Sequence, residues 1–169
     1  MSIYNLNELF TSDIQYLYNA EKQISKNLPK IAQFASSDHV QKIIEKHINE
    51  NKQHIQRLQE VCDTLGIKPE NKQSHGVEGL IKEAEEIFNK QNIMDPYVMD
   101  AALIATTQRI QHYEIAAYGT LRTYANLLGY KEASECFRRS LEEEKETDAK
   151  LTEVAVNNIN LQAKSSQTI

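Results

Sequence analysis

The chain has 169 residues, 40% hydrophobic and 25% charged, with five Gly, three Pro and a formal net charge of -5. That is long enough for one domain with a real core, and too poor in Gly and Pro for the many turns of a β protein. An acidic chain with no Lys/Arg block at either end argues against a protein that grips a phosphate backbone, and no stretch approaches the ~20 apolar residues of a membrane span.

The start, MSIYNLNELF, lacks the charged and apolar runs of a signal peptide, so the cytoplasm is the expected location. A first helix is predicted over 6–35, where Asn5 and Glu8 form a capping pair and Pro29 should kink or break the last turns. Ser36, Ser37 and Asp38 make a turn and cap. A second helix follows over 38–65, with Val40, Ile44, Ile48, Ile55, Leu58, Cys62 and Leu65 on its apolar face and Gly66 ending it. Residues 67–76 are polar, contain Pro69 and read as loop. A shorter amphipathic helix is predicted over 77–90.

Asp95 and Pro96 then supply an N-cap and first-turn proline for a third long helix over 96–128, closed by Gly129. A fourth runs over 131–158. The domain is expected to end near residue 160, leaving 161–169 as a frayed polar tail. Cys62 and Cys136 both fall on apolar faces and read as buried reduced thiols. Short turns make antiparallel hairpins of the first and second pairs of long helices, and the segment between the pairs can cross the length of the bundle. The expected fold is therefore all-α: a ferritin-like four-helix bundle of two antiparallel hairpins, with a short extra helix in the crossover.

Read in steps of three and four, the first helix presents Phe10, Ile14, Leu17, Glu21, Ile24, Leu28 and Ile31. The third long helix presents Leu103, Thr107, Ile110, Glu114, Ala117, Leu121 and Tyr124. A helix buries such a stripe, and a carboxylate inside it must stay neutral or find a cation. A shift of 93 residues superposes Glu21 on Glu114, Leu28 on Leu121, Glu50 on Glu143 and Leu58 on Leu151. Each hairpin thus pairs an acid on its first helix with one on its second: Glu21 with Glu50, and Glu114 with Glu143. Glu144 competes with Glu143 for the inward direction, and Asp148 lies one turn beyond it. Converging carboxylates repel unless cations relieve them, so two divalent or trivalent metal ions are expected.

The Glu-x-x-His pattern of di-iron bundles is not met from any of these acids. Glu50 leads to Gln53, Glu143 to Glu146 and Glu144 to Thr147. A modified ligand set would be needed, with His47 or His54 and Asp148 as terminal ligands. The candidate ligands are Glu21, Glu50, His54, Glu114, Glu143, Glu144 and Asp148. His47 and His54 each also read as residues at the edge of the site rather than ligands, and His112 as a packing residue. Buried salt bridges or hydrogen bonds are the competing explanation for Glu21 and Glu114.

AEKQI around Glu21, EGLIKE at 78–83, DAALIA at 100–105, HYEIAAYGTLR at 112–122 and EEEKETDAKLTE at 142–153 resemble the YciE/YciF family of ferritin-like proteins, over about residues 6–158. The resemblance implies a dimeric ferritin-like bundle with a di-metal site and a link to stress responses, and it implies no settled reaction. By position, Glu21, Glu50, Glu114 and the Glu143/Glu144 pair match the family's acids, while Gln111 stands where a glutamate is common. Two functions are then open. One is a metal-dependent oxidoreductase that binds two metal ions, Fe or Mn, and acts on oxygen or peroxide as a small oxidant substrate. The other is a non-catalytic helical bundle that works through protein association. Nucleic acid and membrane partners are not expected.

Overall fold

The structure is a computed structural model and describes residues 3–69 and 72–166. Positions 1 and 2, the centre of the expected 67–76 loop (70 and 71) and the end of the expected tail (167–169) lie outside the described residues. Among those described the protein is all-helical, with no strand. None of its helices is long and apolar enough to cross a membrane.

Helix α1 spans Leu6–Ala32. The Asn5 side chain accepts from Glu8 N at 2.9 Å, an orphan donor of the first turn, and Glu8 reaches back to accept from Tyr4 N, just ahead of the cap, at 2.7 Å. Pro29 lies inside α1 and, lacking an N–H, weakens its last turn. The helix stops at Ala32, three residues short of the expected end, and the chain tightens into i→i−3 bonds from Phe34 and Ala35.

Helix α2 spans Asp38–Leu65, capped by Ser37 and ended by Gly66, whose φ of 65° is a left-handed conformation only glycine adopts without strain. Helix α3 spans His75–Phe88, two residues earlier than expected, and is followed by a single 3₁₀ turn at Gln91–Ile93. Helix α4 spans Pro96–Leu128; Asp95 accepts from Tyr97 N and Val98 N, and Gly129 closes the helix at φ 81°. Helix α5 spans Lys131–Val154. Instead of fraying, it runs through a π-helical turn at Ala155–Ile159 into a short α6 at Asn160–Ser165. Ile159 is 1% exposed, and this one apolar anchor in a polar stretch holds the extension down.

The four long helices form a ring: α1 packs on α2 and α4, and α5 packs on α4 and α2. At one end Asp100, near the start of α4, accepts from the backbone N–H groups of Ser36 and Ser37 in the α1–α2 turn, at 2.8 and 2.9 Å. At the other, Tyr130 donates to Asn7 at 2.9 Å, and Phe10 packs on Tyr130 and Phe137 at ring separations of 5.6 and 6.2 Å. These contacts set α4 antiparallel to α1. Helix α3 lies across α1 and α4, its Phe88 stacked on Phe34 at 4.6 Å. Between the apolar ends lies a belt of fully buried polar side chains: Glu21, His47, Asn51, His54, Gln111, Glu114 and Glu144. Both cysteines are free, Cys62 buried and Cys136 half-buried.

Candidate metal centre

All four long helices contribute to the belt. From α1, Glu21 accepts from the Tyr118 hydroxyl through Oε1 and from Asn51 Nδ2 through Oε2; the same Asn51 nitrogen also donates to the Glu21 carbonyl at 3.2 Å. The carboxylate is thereby clamped between α2 and α4.

From α2, His54 follows Asn51 by three residues, and both side chains point inward. Its Nε2 lies 2.8 Å from Glu143 Oε2. Its Nδ1 is directed among carboxylates, 3.2 Å from Glu144 Oε1 and 3.7 Å from Glu21 Oε1, yet makes a proper hydrogen bond with neither. His47, two turns earlier, places Nε2 3.2 Å from Glu144 Oε1 and 3.7 Å from Glu114 Oε2.

From α4, Glu114 is fully buried, and neither of its carboxylate oxygens has a hydrogen-bond partner. From α5, Glu144 is equally buried, with Oε2 unpartnered. These donors fall into two triads that share a residue. Ligand atoms of Glu21, His54 and Glu114 lie within 4.8 Å of one another, as do those of His47, Glu114 and Glu144. Glu114 belongs to both.

Electrostatics follow from this crowding. Burial pushes the Glu114 carboxyl well above the usual carboxylate range, and the nearby Glu144 and Glu21 push it further. Burial would also raise Glu144, but His47 and His54 outweigh it and hold that group below its ordinary value. The imidazoles respond in turn. Burial opposes their charge, yet Glu144 leaves His47 raised, and Glu143, Glu144 and Glu21 leave His54 raised well above normal. Tyr118 is held far above the usual phenol range by burial and by Glu21.

Glu143 points the other way. Arg57 grips it with two nitrogens, at 2.5 and 2.8 Å, and donates also to Ser140 Oγ at 3.1 Å. Burial is overridden by His54 and Arg57, and the Glu143 carboxyl falls to about 2. It therefore stands behind His54 as a fixed anion, outside both triads.

Of the seven residues expected as ligands, the structure brings together Glu21, His54, Glu114 and Glu144, with Glu143 behind them. Glu50 and Asp148 are not part of the gathering. Glu50 accepts from Lys46 and from Thr147 Oγ1, the latter at 3.1 Å. Asp148 accepts from Gln108 at 2.9 Å and lies 3.4 Å from His112 Nε2. His47, read from the sequence as an edge residue, sits inside the second triad. Asn51 and Tyr118 were not singled out as site residues because neither is charged, and Gln111 was noted only as standing where a glutamate is common.

With the inward face known, the frame of the missing pattern shifts by one residue. It reads Asn51-x-x-His54 on α2 and Glu144-x-x-Thr147 on α5. Each helix keeps one half of Glu-x-x-His.

A family described as a domain of unknown function, DUF892, matches residues 5–164. Protein YciF of Escherichia coli K12 is 37% identical over 166 residues, covering 98% of this chain and 99% of its own. The chain belongs to the DUF892 family. Among solved relatives, the E. coli stress protein YciF matches with a TM-score of 0.88 at 38% identity, over 94% of this chain and 99% of that one. YcfI of Rhodopseudomonas palustris, for which a structural role is suggested, matches with a TM-score of 0.84 at 36% identity, over 89% and 95% of the two chains. A Xanthomonas campestris protein at 18% identity and a TM-score of 0.75, over 96% and 99%, shares the fold. The fold of this DUF892 member is thus shared by a protein of much lower identity.

Proposed function

We propose that this DUF892 member is a ferritin-like metal-binding protein whose core holds two transition-metal ions, Fe or Mn. The observation that carries the reading is Glu114, fully buried with both oxygens unpartnered, at the junction of two carboxylate–histidine triads. A buried acceptor without a donor is costly, and a cation on each side would satisfy it. The donor chemistry fits: three carboxylates and two imidazoles suit Fe and Mn. Glu21 and His54 would hold one ion, His47 and Glu144 the other, with Glu114 between them. The ring of α1, α2, α4 and α5, with α3 in the crossover, agrees with such a bundle. Bound Fe or Mn would supply one-electron chemistry toward oxygen or peroxide, in keeping with the description of YciF as a stress protein.

The chain's own residues prepare the site. Glu143, fixed by Arg57, accepts from His54 Nε2–H and so frees Nδ1 to face the carboxylates. Tyr118 and Asn51 keep Glu21 in place, and the apolar layers on both sides exclude water. A homodimer and a cytoplasmic location complete the proposal.

The association module remains the competing reading because the His47–Glu144 and His54–Glu143 pairs neutralise some of the acid without a metal. Elemental analysis of protein made without a His-tag or chelator separates the two, beside a Glu21→Ala, Glu114→Ala variant. About two Fe or Mn per chain, lost in the variant, is the result expected from two triads. No stoichiometric metal after anaerobic ferrous loading would sink the metal reading and favour association.

A further inference from the structure

We propose that the buried amides of Asn51 and Gln111 tune the centre toward divalent ions and against their conversion to trivalent ones. The inference rests on the metal-centre reading above. Di-metal carboxylate bundles of the Glu/Glu-x-x-His kind bring four carboxylates and two histidines to their ions. Here the acids at the triads are three, Glu21, Glu114 and Glu144. The place of the fourth, three residues before His54, is held by Asn51.

Asn51 is not an idle replacement. Its Nδ2 is committed to the carbonyl and carboxylate of Glu21, while Oδ1 has no hydrogen-bond partner at 0% exposure. An amide oxygen is a neutral hard donor of the kind that suits Mg, Ca and Mn. Gln111 lies three residues before Glu114 on the same buried face of α4. Neither its oxygen nor its nitrogen has a partner, and its exposure is also 0%.

Each amide supplies polar atoms where a carboxylate would supply a negative charge as well. In a dry interior a missing unit charge weakens the hold on a trivalent ion more than on a divalent one. The centre therefore keeps its ligands for M(II) and gives up part of the field that would stabilise M(III).

Two isosteric substitutions, Asn51→Asp and Gln111→Glu, each restore one charge. Wild type and both variants are loaded with ferrous iron under argon, and the midpoint is read against redox mediators with ferricyanide as oxidant. Each Fe(II) gives one electron to one ferricyanide, leaving Fe(III) and ferrocyanide. At least a ~10-fold gain in retention of ferric over ferrous iron is expected in each variant, which lowers the midpoint by about 59 mV for a one-electron couple. Circular dichroism before loading checks that each variant folds, and because they sit on different helices either can decide alone. Unchanged midpoints in the folded variants overturn the inference while leaving the metal centre standing. Failure of the wild type to take up ferrous iron overturns both.

Discussion

Glu143 and Glu144 are neighbours in sequence, yet a helix turns about 100° per residue, and that rotation gives them different work. Glu144 enters the triad with His47 and Glu114; Glu143 leans outward to Arg57 and supports His54 from behind. Removing the guanidinium by Arg57→Ala should leave Glu143 free to swing and His54 unfixed. Loss of such a supporting contact typically costs ~10–100-fold in metal affinity, to be read by competition with a chromophoric chelator. An affinity within twofold of wild type would remove Glu143 from the design. The same rotation explains what sequence reading could and could not find. Charge drew attention to Glu50, but the inward residue is its neighbour Asn51, which carries no charge to notice. Glu21 and Glu114 were legible because they interrupt apolar stripes. His47 was not, because its stripe was read as an edge until α5 brought Glu144 against it.

At the scale of elements, the punctuation of the chain was legible almost throughout. Asn5, Ser37 and Asp95 cap helices where side-chain oxygens meet orphan N–H groups, and Gly66 and Gly129 end them in left-handed turns. What escaped was tertiary. Ile159 holds α6 down against a polar sequence, and Asp100 ties the start of α4 to the α1–α2 turn. Asp100→Ala should leave the Ser36 and Ser37 amides without their acceptor and lower stability by about 1–3 kcal/mol, measured by urea denaturation at neutral pH. Gly129→Ala forces a Cβ into a left-handed turn with φ 81° and should cost about 1–2 kcal/mol in the same experiment. Because these sites lie away from the polar belt, neither change should alter metal stoichiometry.

For the whole molecule, the polar belt makes stability depend on pH in a way that reveals whether a cation is present. Without metal, the Glu114 carboxyl has a folded value well above its unfolded one. Its contribution is complete below the ordinary glutamate value of about 4.3 and is lost as pH rises through the raised folded value. His47 and His54 are also raised. Their contribution is complete below about 6.5 and likewise disappears as pH rises. Glu143 and Glu144 are depressed, so theirs is present above about 4.3 and lost in acid. Metal-free protein should therefore be most stable in weak acid and melt at lower temperature toward alkaline pH. A bound divalent ion needs the same ligands unprotonated, so its uptake should release protons and strengthen as pH rises. Calorimetry across a pH series, once with EDTA and once with Mn(II), should give two curves that diverge upward from weak acid. Glu114→Gln should flatten the metal-free decline, because it removes the acid of the belt whose two oxygens both lack a hydrogen-bond partner, and should abolish the divergence. A metal-free melting temperature that climbs steadily into alkaline pH would mean that the belt's charges are balanced by protein alone.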